Sequence, residues 1–211
     1  RKKELLTLAF FSVPPFIGGV VQTVLYGASI LWPCAVISSL LVLLDKESLV
    51  ISQDSLTRLN NRRNMERHLA AFEEGPNRAI TLILLDINHF KSINDVYGHS
   101  TGDLALIQTA DILRAMFNRT SAFLARYGGD EFVIILPQGD ESVATQTVRE
   151  IKDGFAAFNR TNKFPFQLFV CAGHAVSTEK TEGRIANMFK EADSNLYRDK
   201  MRRHQETEVQ P

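Results

Sequence analysis

The chain has 211 residues, 24 basic side chains against 24 acidic ones, and 45% apolar residues. That length holds one well-packed domain and a smaller appendage, and the charge balance removes the basic excess expected of a protein that binds a nucleic-acid polymer. Only two cysteines occur, Cys34 and Cys171, both within apolar stretches, which excludes a disulfide framework or zinc knuckle and suits a reducing compartment.

The first residue is Arg1 rather than Met, so the sequence reads as a piece of something longer. Residues 5–44 contain no Asp, Glu, Lys, Arg or His. A membrane span needs ~20 apolar residues, so residues 1–45 are predicted to be two transmembrane helices turning at Tyr26-Gly27-Ala28-Ser29. Arg1, Lys2 and Lys3 before the pair and Lys46 after it place both ends on the cytoplasmic side. Pro14-Pro15 should kink the first helix, and Gly18-Gly19 offers a close packing surface. A buried hairpin in a soluble protein is the alternative, but at this length it would normally show a charged face.

Residues 46–53 are predicted to form a linker helix, with Leu44, Ser48 and Ile51 at coiled-coil-like spacing. A domain follows at 54–205, and 206–211 is a tail. Asp54-Ser55-Leu56-Thr57 offers polar caps for a helix whose apolar stripe is Met65, Leu69 and Phe72 and which Gly75-Pro76 ends. Ala79–Leu85 is a buried strand, delivering Asp86 at its end. Phe90–Tyr97 is a short helix closed by Gly98, and Ser100 opens a longer helix with Asp103 completing a capping box. Leu106, Ala110, Leu113 and Phe117 are its buried stripe.

Ala122–Ala125 and Phe132–Leu136 are two strands joined through Gly128-Gly129, residues suited to the positive φ of a tight turn. Val148, Ile151, Phe155 and Phe158 mark a helix, Phe166–Ala175 a strand in which His174 is an ordinary member, and Ile185, Met188, Ala192 and Leu196 a last helix. Its basic end, Arg198 to His204, complements the helix dipole. The predicted fold class is α/β, an α+β sandwich with a mixed sheet close to the ferredoxin-like βαββαβ palm, preceded by the all-α transmembrane hairpin.

In a palm the first strand and the central hairpin are neighbours, which brings Asp86 beside Asp130 and Glu131. Adjacent carboxylates repel, so such a group is solvated or holds a cation, and oxygen-only ligands suit Mg²⁺ or Mn²⁺. The Ile87 carbonyl is a further ligand candidate, and Lys91 and Lys200 are candidates for holding phosphates. Acidic metal ligands, cationic phosphate ligands and no evident Ser, Cys or His nucleophile make a kit for nucleotidyl transfer. There is no Gly-x-x-x-x-Gly-Lys loop, which argues against a P-loop ATPase. Asn94 and Asp103 could read a base: a carboxylate accepts from guanine N1–H and N2–H₂ and an amide donates to O6, although spacing alone does not identify guanine.

Gly128-Gly-Asp-Glu-Phe132 spells the name motif of the GGDEF domain, and residues Asp54 to Tyr197, with Lys200 just beyond, resemble that catalytic domain of bacterial diguanylate cyclases. Asp54-Ser-Leu-Thr-Arg-Leu-Asn-Asn-Arg-Arg63, Asp86-Ile-Asn-His-Phe-Lys-Ser-Ile-Asn-Asp95 and Gly98-His-Ser-Thr-Gly-Asp103 match its other segments at family spacing. The resemblance implies condensation of two GTP into cyclic di-GMP and two pyrophosphates by a homodimer in which each subunit presents one GTP. It implies that Asp86, the Ile87 carbonyl and Asp130 bind Mg²⁺, and that Asp130 or Glu131 helps deprotonate the 3′-hydroxyl. Lys91 joins them as a catalytic cation, and Phe90, Asn94, Asp103, Gly128, Gly129 and Lys200 contact the substrate. With the membrane helices, it implies a multi-pass protein of a bacterial inner membrane with its catalytic domain in the cytoplasm.

The sequence departs from the family at several positions. Arg58 stands where glycine is usual, and Asn88 where a second aspartate is common, behind the ligands rather than among them. His204 replaces an arginine, with Arg203 as a possible substitute for its hold on the triphosphate. The product-inhibition site, an Arg-x-x-Asp, is degenerate: Arg119 is present and Ala122 replaces the aspartate. The alternative function is a catalytically inactive GTP-binding module.

Overall fold

In the computed structural model the described residues, 2–24, 31–50, 52–75, 78–161, 163–179 and 181–208, fall into two units, 1–52 and 53–211. The first unit holds α1 (Lys2–Val24) and α2 (Leu31–Val50). They pack against each other at Gly19, where a β-carbon would stand 3.6 Å from Leu31 Cδ1. Pro14 and Pro15 lie inside α1, and the expected Tyr26–Ser29 turn lies outside the described residues.

The expected transmembrane hairpin is not borne out: among the described residues, no helix is long and apolar enough to cross a membrane. α1 devotes its first turn to Lys2, Lys3 and Glu4 and its last to Gln22 and Thr23. α2 runs on through Asp45, Lys46 and Glu47, absorbing much of the expected linker helix. Its apolar part, Leu31–Leu44, covers about 21 Å at ~1.5 Å per residue, short of the ~30 Å of a bilayer core. The expected placement in a bacterial inner membrane through this hairpin falls with it, and nothing here shows the membrane as a partner.

The second unit is built from β1 (Asn60–Asn61), α3 (Arg62–Glu74), β2 (Ile80–Ile87), α4 (Phe90–Tyr97), α5 (His99–Phe117), β3 (Phe123–Arg126), β4 (Glu131–Leu136), α6 (Glu141–Asn159), β5 (Val170–Ser177) and α7 (Arg184–Glu208). The five strands form one mixed sheet in the order β1-β3-β4-β2-β5. β2 is antiparallel to both β4 and β5, β3 is antiparallel to β4, and β1 runs parallel to β3.

Strand periodicity assigns the two faces. Ile83, Leu85 and Ile87 of β2, with Phe132 and Ile134 of β4, pack under Ile93, Leu106, Leu113, Ile151 and Phe155 of α4, α5 and α6. The alternate residues Leu82 and Leu84, with Val133 and Ile135, pack under Met65 and Leu69 of α3 and Met188, Ala192 and Leu196 of α7. α7 lies directly on β5: a β-carbon at Gly173 would overlap the backbone of Ala192 and Leu196.

Local ends differ from expectation for identifiable reasons. β2 continues through Asp86 and Ile87 because both keep ladder partners in β5, Cys171 and Val170. β5 starts at Val170, not Phe166. Phe164 and Phe166 instead stack on each other, 5.0 Å between centroids, and the Asn159 side chain brackets Leu168, donating to its carbonyl at 3.0 Å and accepting from its N–H at 2.8 Å. Ser100 caps nothing. α5 begins after Gly98 at φ +83°, and the Gly98 carbonyl takes the N–H groups of Thr101 and Gly102. The cap of α3 is Asn61, accepting from Asn64 N–H at 2.9 Å, rather than the Asp54–Thr57 segment.

Candidate active site

Because side chains alternate along a strand, Asp86 falls on the same face as Leu84, under α7. Glu131, its register partner on β4, falls on that face as well. The strand pairing thus brings Asp86 to the turn that carries Asp130, and the Ile87 N–H donates to the Asp130 carbonyl at 3.2 Å. Asp86 is largely buried, its side chain 11% exposed, and Lys200 of α7 reaches it with Nζ 2.7 Å from Oδ2. Burial pushes the Asp86 carboxyl above its ordinary value; the Lys200 ammonium opposes this and the Asp130 carboxylate adds to it. Burial and then the Asp86 and Asp130 carboxylates push Glu131 up likewise, against Lys200.

The three carboxylates stand together without closing into a metal cage: among the described residues, no three acidic, histidine or cysteine side chains are gathered to hold an ion. Lys200, expected at a phosphate, is here the cation held by Asp86. The donor set still fits a hard divalent ion, since Mg²⁺ commonly takes one or two carboxylates and completes its shell with phosphate oxygens and water.

The turn itself is not the tight left-handed one expected. Neither Gly128 nor Gly129 has positive φ. Only Gly128 is crowded: a β-carbon there would lie 2.6 Å from Glu131 Oε2, whereas one on Gly129 would meet nothing within 4 Å. The turn is clamped by Arg126, whose Nη2 donates to the Gly129 carbonyl at 2.8 Å and whose Nε donates to the Gly128 carbonyl at 3.2 Å. Arg126 Nη1 also reaches Asp54 Oδ1 at 3.1 Å. Asp54 in turn accepts from the Thr57 N–H at 2.8 Å and hydroxyl at 2.7 Å. Tyr127 is held between the Arg62 guanidinium, 4.7 Å from its ring, and Phe189. Asp54 and Arg126 were missed as positioning residues; the available signal was that Asp54 opens a matched segment and Arg126 stands two residues before Gly128.

The other predicted residues come from the opposite face. Phe90 packs against the core beneath α4 and α5. Asn94 lies against Gly102, where a β-carbon would overlap the Asn94 Oδ1. Gly102 was also missed, although it directly precedes Asp103. Lys91 and Asp103 are exposed, and among the described residues the ion pair of Asp86 is with Lys200 instead. Arg58 has φ +60° and His89 φ +55°, so Arg58 occupies left-handed backbone that glycine would enter without strain. The Asn88 N–H donates to the Phe169 carbonyl at 2.9 Å. Arg203 lies over the Phe169 ring at 4.0 Å, while the His204 side chain lies outside the described residues. Arg119 and Ala122 line a cavity of about 410 Å³ together with Thr147 and Glu150.

The family model described as Diguanylate cyclase, GGDEF domain, matches residues 51–206. The chain belongs to the GGDEF diguanylate cyclase family. Among curated GGDEF relatives, the probable diguanylate cyclase DgcC of Escherichia coli K12 is 31% identical over 161 residues, 75% of this chain and 43% of that protein. Diguanylate cyclase DgcP of Pseudomonas aeruginosa is 35% identical over 150 residues, 70% of this chain and 22% of that protein. The chain spans less than half the length of these relatives. The crystal structure of the GGDEF domain of DgcB from Caulobacter crescentus in complex with c-di-GMP is similar with a TM-score of 0.61 and 34% identity, covering 71% of this chain and 90% of that one. A second structure, of the coiled coil and GGDEF domain of DgcB, gives 0.61 and 32%, over 77% and 87%.

Proposed function

We propose that this chain is the catalytic part of a diguanylate cyclase that condenses two GTP into cyclic di-GMP and two pyrophosphates, acting as a homodimer with a divalent cation. The observation that carries the reading is the register pairing of Asp86 with Glu131 beside Asp130, within an intact Gly128–Phe132 motif.

Asp86 and Asp130, with the Ile87 carbonyl, would hold Mg²⁺ or Mn²⁺, which when bound lowers the pKa of an attacking hydroxyl and neutralises charge on the phosphate. Asp130 or Glu131 takes the proton from the 3′-hydroxyl of one GTP. That oxygen forms a bond to the α-phosphorus of the other GTP, the bond to the β-phosphate bridging oxygen breaks, and pyrophosphate leaves. The reciprocal step closes the ring. Raised carboxyl values at Asp86 and Glu131 suit groups that exchange a proton or await a cation. Lys91 and Lys200 offer positive charge to phosphates, Lys200 by leaving Asp86. Asn94 and Asp103 read guanine beside Phe90, and Gly128 and Gly129 leave the nucleotide room against the turn.

The test is mass spectrometry of products from GTP and Mg²⁺ with the oligomeric state measured alongside. Cyclic di-GMP is expected from the native chain, and Asp130→Ala or Glu131→Ala should lower its formation at least a hundredfold without shifting the melting temperature by more than a few degrees. No product from a confirmed dimer overturns the proposal; GTP binding without turnover would indicate an inactive nucleotide-binding module.

A further inference from the structure

A second cavity, of about 360 Å³, opens between α6, α7 and the edge strand β5, and its floor is Ala172 and Gly173. Four cations surround it: Arg149 and Lys152 from α6, and Arg198 and Arg202 from α7. Each pair is spaced i,i+3 or i,i+4, so its members share a helix face and meet the other pair across β5.

The internal charges of this cavity are already paired. Lys152 Nζ lies 2.6 Å from Asp199 Oδ1, and Asp199 Oδ2 accepts from the Ala172 N–H at 2.9 Å. His174 Nε2 lies 2.7 Å from Glu141 Oε1, and Asn195 donates to the His174 carbonyl at 2.8 Å. Arg149, Arg198 and Arg202 remain. Among the described residues, none of these three guanidinium groups makes a hydrogen bond or ion pair. The helix dipole does not account for them, since it acts over the last turn and Arg198 lies more than two turns before the end of α7 at Glu208. Like charges at i,i+4 repel, and planar guanidinium forks match phosphate oxygens two at a time.

We infer that this cavity is a binding site for a small, multiply charged phosphate compound, of which pyrophosphate is the simplest. Arg149, Arg198 and Arg202 hold the phosphate oxygens, and the Lys152–Asp199 pair braces the floor. The site is separate from the Asp86–Lys200 pair and exists whether or not the chain turns over GTP.

Calorimetric titration of pyrophosphate into the 211-residue chain in EDTA, which keeps divalent ions from the carboxylates, tests the assignment. Saturable binding to one site is expected, weakened at least tenfold by Arg198→Gln with Arg202→Gln and separately by Arg149→Gln on the other helix. Lys91→Gln should leave it within twofold. Melting temperatures of the variants show whether each is folded. No saturable binding to the native chain overturns the inference. So does binding that survives in folded arginine variants, or that is lost in Lys91→Gln. An aspartate hexapeptide that binds more tightly than pyrophosphate would assign the cavity to an acidic protein segment instead and overturn it equally.

Discussion

At Gly102 a missing side chain shapes the site as much as the charged groups do. Asn94 lies where a β-carbon of residue 102 would be, so its carboxamide holds its present place only because that atom is absent. Gly102→Ala should therefore displace the Asn94 carboxamide while leaving the core beneath α5 intact. The expected outcome in steady-state kinetics is a KM for GTP raised about tenfold or more, in line with the ~1–3 kcal/mol of one unsatisfied base contact, with the melting temperature nearly unchanged. Gly128 follows the same logic next to Glu131, where a β-carbon would lie 2.6 Å from the carboxylate. In both places the glycine is there for space rather than for positive φ, which around α4 is taken by His89 and Gly98.

Between elements, Asp54 and Arg126 tie the start of the domain to the turn after β3. Burial raises the Asp54 carboxyl, but the Thr57 N–H and hydroxyl and then the Arg126 guanidinium more than reverse that, so it ends below its ordinary value. A carboxyl with a depressed folded pKa is protonated first in the unfolded chain. Its stabilisation is complete above the unfolded value of about 3.9 and is lost as pH falls through the folded value. Asp54→Ala should lower stability near neutral pH by about 1–3 kcal/mol, the effect of removing a partner from a part-buried hydrogen-bonded charge. Urea midpoints of the two proteins should converge as pH drops below about 4. A gap that stays constant with pH would show that Asp54 acts by packing rather than by charge. Turnover should fall along with stability, since the freed Arg126 no longer holds the turn that carries Asp130 in a single position.

At the scale of the molecule, one copy of the chain carries one set of carboxylates, and the proposed reaction needs two nucleotides face to face. Fusing residues 54–211 to a constitutive dimeric coiled coil should raise the cyclisation rate at least tenfold over the same fragment kept monomeric, measured at equal subunit concentration. Equal rates would exclude control by dimerisation. Much of the fold was legible beforehand because its signals are local. Apolar runs and periodic stripes marked the order of helices and strands, and Asp86, Asn94, Asp103 and Gly128–Phe132 stand at recognisable intervals. The apolar N-terminal residues misled, because composition alone hid where charged and polar turns would fall within α1 and α2. The strand ends escaped because ladder partners, not local propensity, decide them. What residues 1–211 determined alone was the inventory: which side chains could bind a cation, a phosphate or a base. Only the tertiary structure decided that Asp86 faces α7 and holds Lys200, that Asn94 rests on Gly102, and that three arginines gather at the edge of β5. Each of these depends on which face of the sheet a residue takes and which helix covers it, and both are set by contacts between distant parts of the chain.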